Sequence, residues 1–201
     1  MNLDSAQFSG LLVVMACWFV FAGGFILRKK PPKAPTEKRT PASRWGIALQ
    51  GLAYFTVWFF QRWFWPPMLP PPPAVQDALS LVAIPLAIAS SWLTVSAVRT
   101  LGKQWSIEAR LTEKHRLIVA GPYSRMRHPI YTAMLGLLVA TGLCVTYWPA
   151  LLAAVILYGI GTVIRVRAEE KLLREAFGED FEAYARYVPA ILPRLHAGSS
   201  R

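Results

Sequence analysis

The chain has 201 residues, of which 54% are hydrophobic and 16% charged, and its formal net charge is +11. The apolar residues are gathered into long blocks, a pattern typical of a polytopic membrane protein. A soluble helical core is disfavoured because so many apolar blocks would leave too few polar helix faces to cover them. A nucleic-acid partner is discounted because the basic residues border these blocks, where membrane topology and anionic lipid explain them.

Four apolar blocks of spanning length follow one another along the chain, over residues 8–27, 45–65, 79–98 and 130–164. Each of the first three has roughly the 17–25 residues of a membrane-spanning helix, and the fourth is long enough for a hairpin that folds back at Pro149. We therefore expect an all-α, polytopic membrane helical bundle with five transmembrane helices. The N-terminal part, residues 1–100, is expected to contain three helices and a basic linker at residues 28–44. The catalytic part, residues 101–201, is expected to contain a helical hairpin at residues 129–165 and a cytoplasmic tail.

The 22 Lys and Arg residues predict the orientation of this bundle. Seven lie in each of the segments 28–44, 99–127 and 165–201, and Arg62 lies apart from them. The positive-inside rule assigns these segments to the cytoplasm, so we expect the N-terminus outside and the C-terminus inside. We expect an integral, multi-pass protein, assigned to a bacterial inner membrane, with Arg62 snorkelling to the outer surface.

The last apolar block is expected to continue as a helix into the cytoplasm. Gly178 is a natural C-terminal stop for it, and a short helix at residues 180–187 follows. Arg165 and Glu169 share one face of the long helix, at a depth where an unpaired charge would be costly. Glu170 has the same spacing from Arg174, and this second pair is expected to be an ordinary surface ion pair.

A cluster of polar residues immediately precedes the fourth block. His128 is followed by Pro129, which restricts His128 to an extended conformation and begins the next helix. A helix cap and an interfacial tyrosine would explain these residues separately. The occurrence of Tyr123, His128 and Tyr131 within nine residues, near a carboxylate on another helix, instead favours a site.

Three groups of residues form one spaced pattern: His115-x-Leu117-Ile118-x-x-Gly121-Pro122-Tyr123, Arg127-His128-Pro129-x-Tyr131, and Arg165-x-x-x-Glu169-Glu170-x-x-Leu173-x-x-x-Phe177-Gly178. This pattern resembles the isoprenylcysteine carboxyl methyltransferase family, and the likeness covers roughly residues 101–193. A signature of several spaced parts is much more specific than any one of its parts.

The resemblance implies S-adenosylmethionine as the cofactor, in a pocket that faces the cytoplasm. It implies cofactor contacts from His115, Leu117, Ile118, Tyr123, His128, Pro129, Ile130, Tyr131 and Glu169. It assigns to Arg165 the role next to the methyl acceptor, which would be a lipophilic molecule that enters from the bilayer and carries a carboxylate, such as an isoprenylated cysteine. No metal site is expected, because Cys17 and Cys144 lie in apolar blocks without metal-ligand spacing.

Several alternatives stay open from the sequence. Relatives of this shape also methylate phospholipid amines or small thiols, so the acceptor is open. Membrane sterol-type reductases, which use NADPH, resemble the family in their last helices, and a non-catalytic membrane scaffold is a further alternative. The Arg-His-Pro-x-Tyr run together with the Glu-Glu pair favours the methyltransferase.

Overall fold

The computed structural model describes residues 5–26, 41–62, 64, 72–102 and 117–193. Its elements in chain order are α1 (Ser5–Ile26), α2 (Pro41–Phe59), α3 (Pro73–Leu101), a 3₁₀ turn (Gly121–Ser124), α4 (Pro129–Val145), α5 (Trp148–Phe177) and α6 (Glu179–Tyr187). Within these ranges there is no β-strand, only an isolated bridge between Gln61 and Thr146. The predicted all-α class is confirmed, while residues 28–40, most of the predicted basic linker, lie outside the described residues.

Three described helices are long and apolar enough to cross a membrane: α1 in its stretch Gln7–Gly24, α3 and α5. Helix α4 is a shorter apolar helix, and α2 has 19 residues that include Arg44 and Gln50. Large apolar side chains such as Phe19 and Trp92 are exposed on the outside of the bundle, as lipid-facing residues are. The chain is an integral membrane protein.

Helix α5 is longer than a bilayer requires. Its 30 residues extend over about 45 Å, whereas the hydrocarbon core of a bilayer is about 30 Å thick. The charged residues of α5 begin at Arg165, so the last turns project beyond the apolar layer. The helix ends as predicted at Gly178, whose φ is 50° and whose N–H donates to Arg174 O at 2.9 Å. The predicted short helix after it is also confirmed, as α6.

Helices α2 and α5 run antiparallel and touch at two glycines. A Cβ atom at Gly161 would lie 2.8 Å from the carbonyl oxygen of Gly46, and one at Gly46 would lie 2.4 Å from Cγ of Arg165. Small residues at such crossings let membrane helices approach backbone to backbone. This crossing brings the first half of α2 against the part of α5 that carries the predicted site residues.

Helices α1, α3 and α4 pack together through small and hydroxyl-bearing residues. The Ser91 hydroxyl donates to Cys17 O at 3.1 Å, and a Cβ atom at Gly136 would lie 2.2 Å from Oγ of Ser90. The serines of α3 therefore pack helices together, and Cys17 is a buried core residue. Helix α4 lies between α3 and α5, and its N-terminus lies beside the charged C-terminal end of α5.

Arg62 does not simply snorkel to a surface. Its NH2 donates to the carbonyl oxygens of Leu143 and Cys144 at 2.9 and 2.5 Å, and its backbone N–H donates to Val145 O at 2.9 Å. The last carbonyls of a helix lack partners within the helix, and a cation at this end also complements the helix dipole. The prediction for Arg62 was incomplete because the partner of its charge, the C-terminus of α4, is distant in sequence.

Candidate functional site

The predicted cluster before the fourth block lies at the N-terminus of α4. Pro129 is the first residue of α4 and is buried, and His128 immediately precedes it with φ −125°. The rings of His128 and Tyr131 stack with their centres 5.6 Å apart and their planes 16° apart. Tyr158 of α5 donates to Tyr131 O at 2.9 Å, which fixes this first turn of α4 against α5.

Glu169 joins the two predicted parts of the site, the cluster before α4 and the charged face of α5. Nδ1 of His128 lies 3.3 Å from its Oε2, and the Tyr131 hydroxyl donates a short hydrogen bond to its Oε1. Arg165, one turn earlier on α5, has its NH2 3.6 Å from the same Oε1. The side chain of Glu169 keeps 22% of its surface exposed, so this residue is held on several sides without being fully covered.

Arg165 is buried at the interface of α2, α4 and α5. Its guanidinium carbon lies 4.9 Å from the centre of the Tyr131 ring, in a cation–π arrangement. Its NH1 donates to Oε1 of Gln50 in α2 at 3.1 Å, and Nε2 of Gln50 in turn donates to Thr162 at 2.9 Å. An aromatic face, an amide and a carboxylate therefore hold this cation.

Glu170 is not the surface residue that was expected. It is 6% exposed, and its Oε1 accepts hydrogen bonds from Nε and NH2 of Arg127 at 2.9 and 2.7 Å and lies 3.3 Å from Nε2 of His128. The predicted contact with Arg174 does occur, at 3.2 Å. Spacing on one helix could not show that Arg127 and His128 cover Glu170 from another element.

Arg127 also holds the chain segment that follows α6. Its NH1 donates to the carbonyl oxygens of Ala185, at 3.0 Å, and Val188. The backbone N–H groups of Arg127 and His128 donate to Pro189 O and Ala190 O, each at 2.9 Å. The segment after α6 therefore crosses the start of α4 and fixes the backbone of His128.

The charge state of His128 follows from this environment. Burial by itself lowers the pKa of His128, but the hydrogen bonds to Glu169 and Glu170, with the charges of both carboxylates, outweigh it and raise the pKa above its ordinary value. A protonated imidazole donates from both nitrogens, which matches a carboxylate at 3.3 Å on each side. His128 therefore bridges two acidic residues.

Tyr123 is buried next to this cluster. Its carbonyl oxygen accepts a hydrogen bond from the Tyr184 hydroxyl at 2.5 Å. Burial, followed by the charge of Glu169, raises the pKa of Tyr123 above its ordinary value, and burial raises that of Tyr184 to about 12. Both phenols therefore stay protonated at neutral pH, and the proton of Tyr184 is the one donated to Tyr123 O.

The remaining predicted residues flank the cluster in sequence or lie outside the described residues. Leu117 and Ile118 are partly buried in the segment before the 3₁₀ turn, and Ile130 is partly buried in the first turn of α4. His115 lies outside the described residues. Among the residues that are described, no group of three or more His, Cys, Asp or Glu side chains has the arrangement of a metal site.

Sequence reasoning missed two contributors to the cluster. Arg127 was part of the quoted motif but had no role, although an Arg next to His128 was a signal for a partner to the Glu-Glu pair. Gln50 was missed entirely, and its signal is weak: an amide inside an apolar block, four residues after Gly46. Its contact with Arg165 depends on how α2 and α5 pack.

Comparison with known proteins agrees with this arrangement. Residues 79–180, about half of the chain, match the family model described as phospholipid methyltransferase. That stretch contains α4, α5 and the cluster around Glu169, so the match covers the helical membrane region that carries this cluster. The chain belongs to the phospholipid methyltransferase family.

Individual relatives support the predicted resemblance. The chain is 28% identical to protein-S-isoprenylcysteine O-methyltransferase B of Arabidopsis thaliana over 117 residues, which are 57% of this chain and 59% of that protein. It is 30% identical to the probable protein-S-isoprenylcysteine O-methyltransferase of Oryza sativa subsp. indica, over 57% of this chain and 61% of that protein. The resemblance to isoprenylcysteine carboxyl methyltransferases is confirmed.

A bacterial relative has a different name. The cobalt-zinc-cadmium resistance protein CzcN of Cupriavidus metallidurans is 35% identical over 117 residues, which are 55% of this chain and 51% of that protein. The chain thus spans between about half and three fifths of the length of these three relatives.

Proposed function

We propose that this protein transfers a methyl group from S-adenosylmethionine to a lipophilic acceptor, with Glu169 on the cofactor side and Arg165 on the acceptor side of the site. The observation that carries the proposal is the contact of Glu169 with His128, Tyr131 and Arg165. It joins the motif before α4 to the motif on α5, within the stretch that matches the family.

The residues present fit this cofactor chemically. S-adenosylmethionine carries a positive sulfonium, a zwitterionic amino-acid end and an adenine ring. Glu169 supplies a carboxylate for a cationic or hydroxyl group, and aromatic faces such as those of His128 and Tyr131 suit a sulfonium or a purine ring. By the resemblance the other cofactor contacts would come from His115, Leu117, Ile118, Tyr123, Pro129 and Ile130.

When bound, the cofactor supplies an electrophilic methyl group, and the chain needs to do little covalent chemistry. Its residues have to align the acceptor in line with the methyl group and exclude water. A carboxylate acceptor is already ionised at neutral pH, so no general base is required. Arg165, held by the Tyr131 face and by Gln50, is suited to bind such a carboxylate and orient it.

We propose an acceptor with a carboxylate on a long apolar tail, such as an isoprenylated cysteine. The cationic Arg165 supports an anionic group, and the similarity to the plant protein-S-isoprenylcysteine O-methyltransferases supports this class. Amines of phospholipids and small thiols are the alternative acceptors. They would not need a guanidinium at the position of Arg165, and this difference separates them in an assay.

The proposed topology has five membrane-spanning helices, the N-terminus outside, and the site on the cytoplasmic side of a bacterial inner membrane. The excess of Lys and Arg in the segments at the site end of the bundle supports this orientation. The site then lies at the depth of the lipid headgroups, since the charged end of α5 leaves the apolar layer near Arg165. A lipophilic acceptor would enter sideways from the bilayer.

Calorimetric titration of the purified protein with S-adenosylhomocysteine and with NADPH tests the cofactor. We expect binding of S-adenosylhomocysteine and none of NADPH. Binding of NADPH alone would support a sterol-type reductase instead, and binding of neither would support a non-catalytic scaffold.

A further inference from the structure

Gln50 is a buried amide that links α2 to the candidate site. It is 3% exposed, yet both ends of its side chain are engaged: Oε1 accepts from Arg165 at 3.1 Å and Nε2 donates to Thr162 at 2.9 Å. Burial of an amide costs free energy unless its groups are hydrogen-bonded. These two partners also fix which way the amide points. An apolar side chain would pack there at a lower free-energy cost, so the amide at position 50 serves to hold Arg165.

The same face of α2 carries a second polar group. Ser43, Gly46 and Gln50 are three and four residues apart, so they lie on one side of the helix. The stem of Arg165 lies against Gly46. The hydroxyl of Ser43 is buried, and no hydrogen-bond partner for it occurs among the described residues. Buried hydroxyls normally have partners, so a polar ligand group is a suitable partner for this one.

We propose that this face of α2 forms one wall of the methyl-acceptor site, with Gln50 as the positioning residue that presents Arg165 to an anionic group of the acceptor. The inference rests on the proposed methyl transfer. Helix α2 lies outside the stretch that matches the family, residues 79–180. Acceptor selection would thus come from a part of the chain that the family match does not cover.

The choice of an amide at position 50 supports an anionic acceptor. A guanidinium presents a planar fork of N–H donors that matches a carboxylate. A neutral amide such as Gln50 orients this fork without neutralising its charge. A carboxylate at position 50 would make a stronger bond to Arg165 but would compete with the acceptor for it.

The test compares two substitutions at position 50 with a matched control. The probe is N-acetyl-S-farnesylcysteine, assayed with labelled S-adenosylmethionine, beside its carboxamide and phosphatidylethanolamine. Gln50→Met keeps the side-chain volume and removes both hydrogen bonds, whereas Gln50→Glu keeps a partner for Arg165. The control is Ser91→Ala, which removes another buried hydrogen bond between helices, the one to Cys17 O.

We expect Gln50→Met to raise the acceptor KM roughly tenfold, as loss of a hydrogen bond to a charged group does, and to leave the dissociation constant of S-adenosylhomocysteine within about twofold. Gln50→Glu should raise the KM further, although it restores a partner for Arg165. Ser91→Ala should change neither quantity. Ser43→Ala should raise the KM roughly threefold and serves as the test if neither Gln50 variant folds.

A merely structural role predicts the opposite order, with Gln50→Glu near the wild type and Gln50→Met changing thermal stability only. That order, an unchanged KM, or activity on the amine acceptor alone would overturn the inference and leave the proposed methyl transfer intact. A wild-type protein that binds no S-adenosylhomocysteine and methylates none of the acceptors would instead contradict the proposed function, and the inference with it.

Discussion

His128 and Glu169 meet across two helices, with 3.3 Å between Nδ1 and Oε2. His128 belongs to the turn before α4, and Glu169 to the charged end of α5. Two consecutive acidic residues thus have different roles: Glu170 is buried against Arg127 and ties the elements together, while Glu169 keeps part of its surface exposed. Of the two side chains, that of Glu169 is the more exposed.

The main effect of Glu169→Gln should be weaker binding of the cofactor. The substitution removes the negative charge at the centre of the cluster and keeps its size. We expect the dissociation constant of S-adenosylhomocysteine to rise at least tenfold, the usual effect of losing a charge-assisted hydrogen bond. Calorimetry measures it, with the exposed Glu179→Gln on α6 as control. Equal affinities for the two variants would contradict a cofactor role of Glu169.

Arg165→Ala should impair methyl transfer more than cofactor affinity. The guanidinium lies against Tyr131 and Gln50, on the side of Glu169 that faces α2. We expect kcat/KM for the acceptor to fall by roughly a hundredfold or more, while S-adenosylhomocysteine binding changes by less than about tenfold. Steady-state kinetics and calorimetry on the same preparation separate the two. A matching loss of cofactor binding would mean that the two residues do not divide the work in this way.

The stability that His128 contributes should depend on pH. Its pKa is raised in the folded protein because the interactions with Glu169 and Glu170 outweigh burial. The contribution is therefore complete below the ordinary pKa of about 6.5 and is lost as the pH rises through the folded-state pKa. We expect the difference in melting temperature between the wild type and His128→Gln to shrink as the pH is raised above the ordinary pKa and through the folded-state pKa of His128. A difference that stays constant or grows with pH would contradict the assigned charge.

Arg127→Ala should destabilise the fold around the site. It leaves the buried carboxylate of Glu170 without its closest cation and frees the segment after α6. Removal of one partner from a buried ion pair typically costs about 3–5 kcal/mol, and Arg174 and His128 should keep the loss near the lower end. Thermal unfolding in detergent checks this against Arg125→Ala, an exposed neighbour. A similar small effect of both substitutions would show that the Arg127 network is not structural.

Two glycines of α5, Gly161 and Gly159, allow a matched test of the contact between α2 and α5. Gly161→Ala would bring a Cβ atom within 2.8 Å of Gly46 O, whereas nothing lies within 4 Å of a Cβ atom at Gly159. We expect Gly161→Ala to cost about 1–3 kcal/mol of stability, as overpacking does, and Gly159→Ala to be neutral or slightly stabilising. Thermal unfolding of both variants measures the difference. Equal melting temperatures would mean that the helices do not touch there.

Much of the fold could be predicted from the sequence, because its signals are local. Apolar blocks of spanning length predicted the long helices, and Gly178 predicted the end of α5. The site halves at His128 and Glu169 were also predicted, since a spaced motif carries them. The helices and their ends depend on residues within one element, and a known sequence pattern joins His128 to Glu169.

The roles of Glu170, Arg62 and Gln50 could not be predicted in this way. Each depends on a partner from another helix, and helical spacing alone does not say which faces meet. Glu170 has the spacing of a surface pair with Arg174, but Arg127 and His128 bury it. Gln50 looks like an isolated polar residue until the close approach of Gly46 and Gly161 brings Arg165 beside it.

Transfer of a tritiated methyl group is the most direct test of the central claim. The purified protein would be incubated with labelled S-adenosylmethionine and a membrane lipid extract, with N-acetyl-S-farnesylcysteine in a parallel sample, and the organic-soluble product identified. We predict labelled product from the wild type and at most traces from Arg165→Ala, although that variant still binds S-adenosylhomocysteine. No labelled product from a wild-type protein that is folded and supplied with both acceptor sources would contradict the claim.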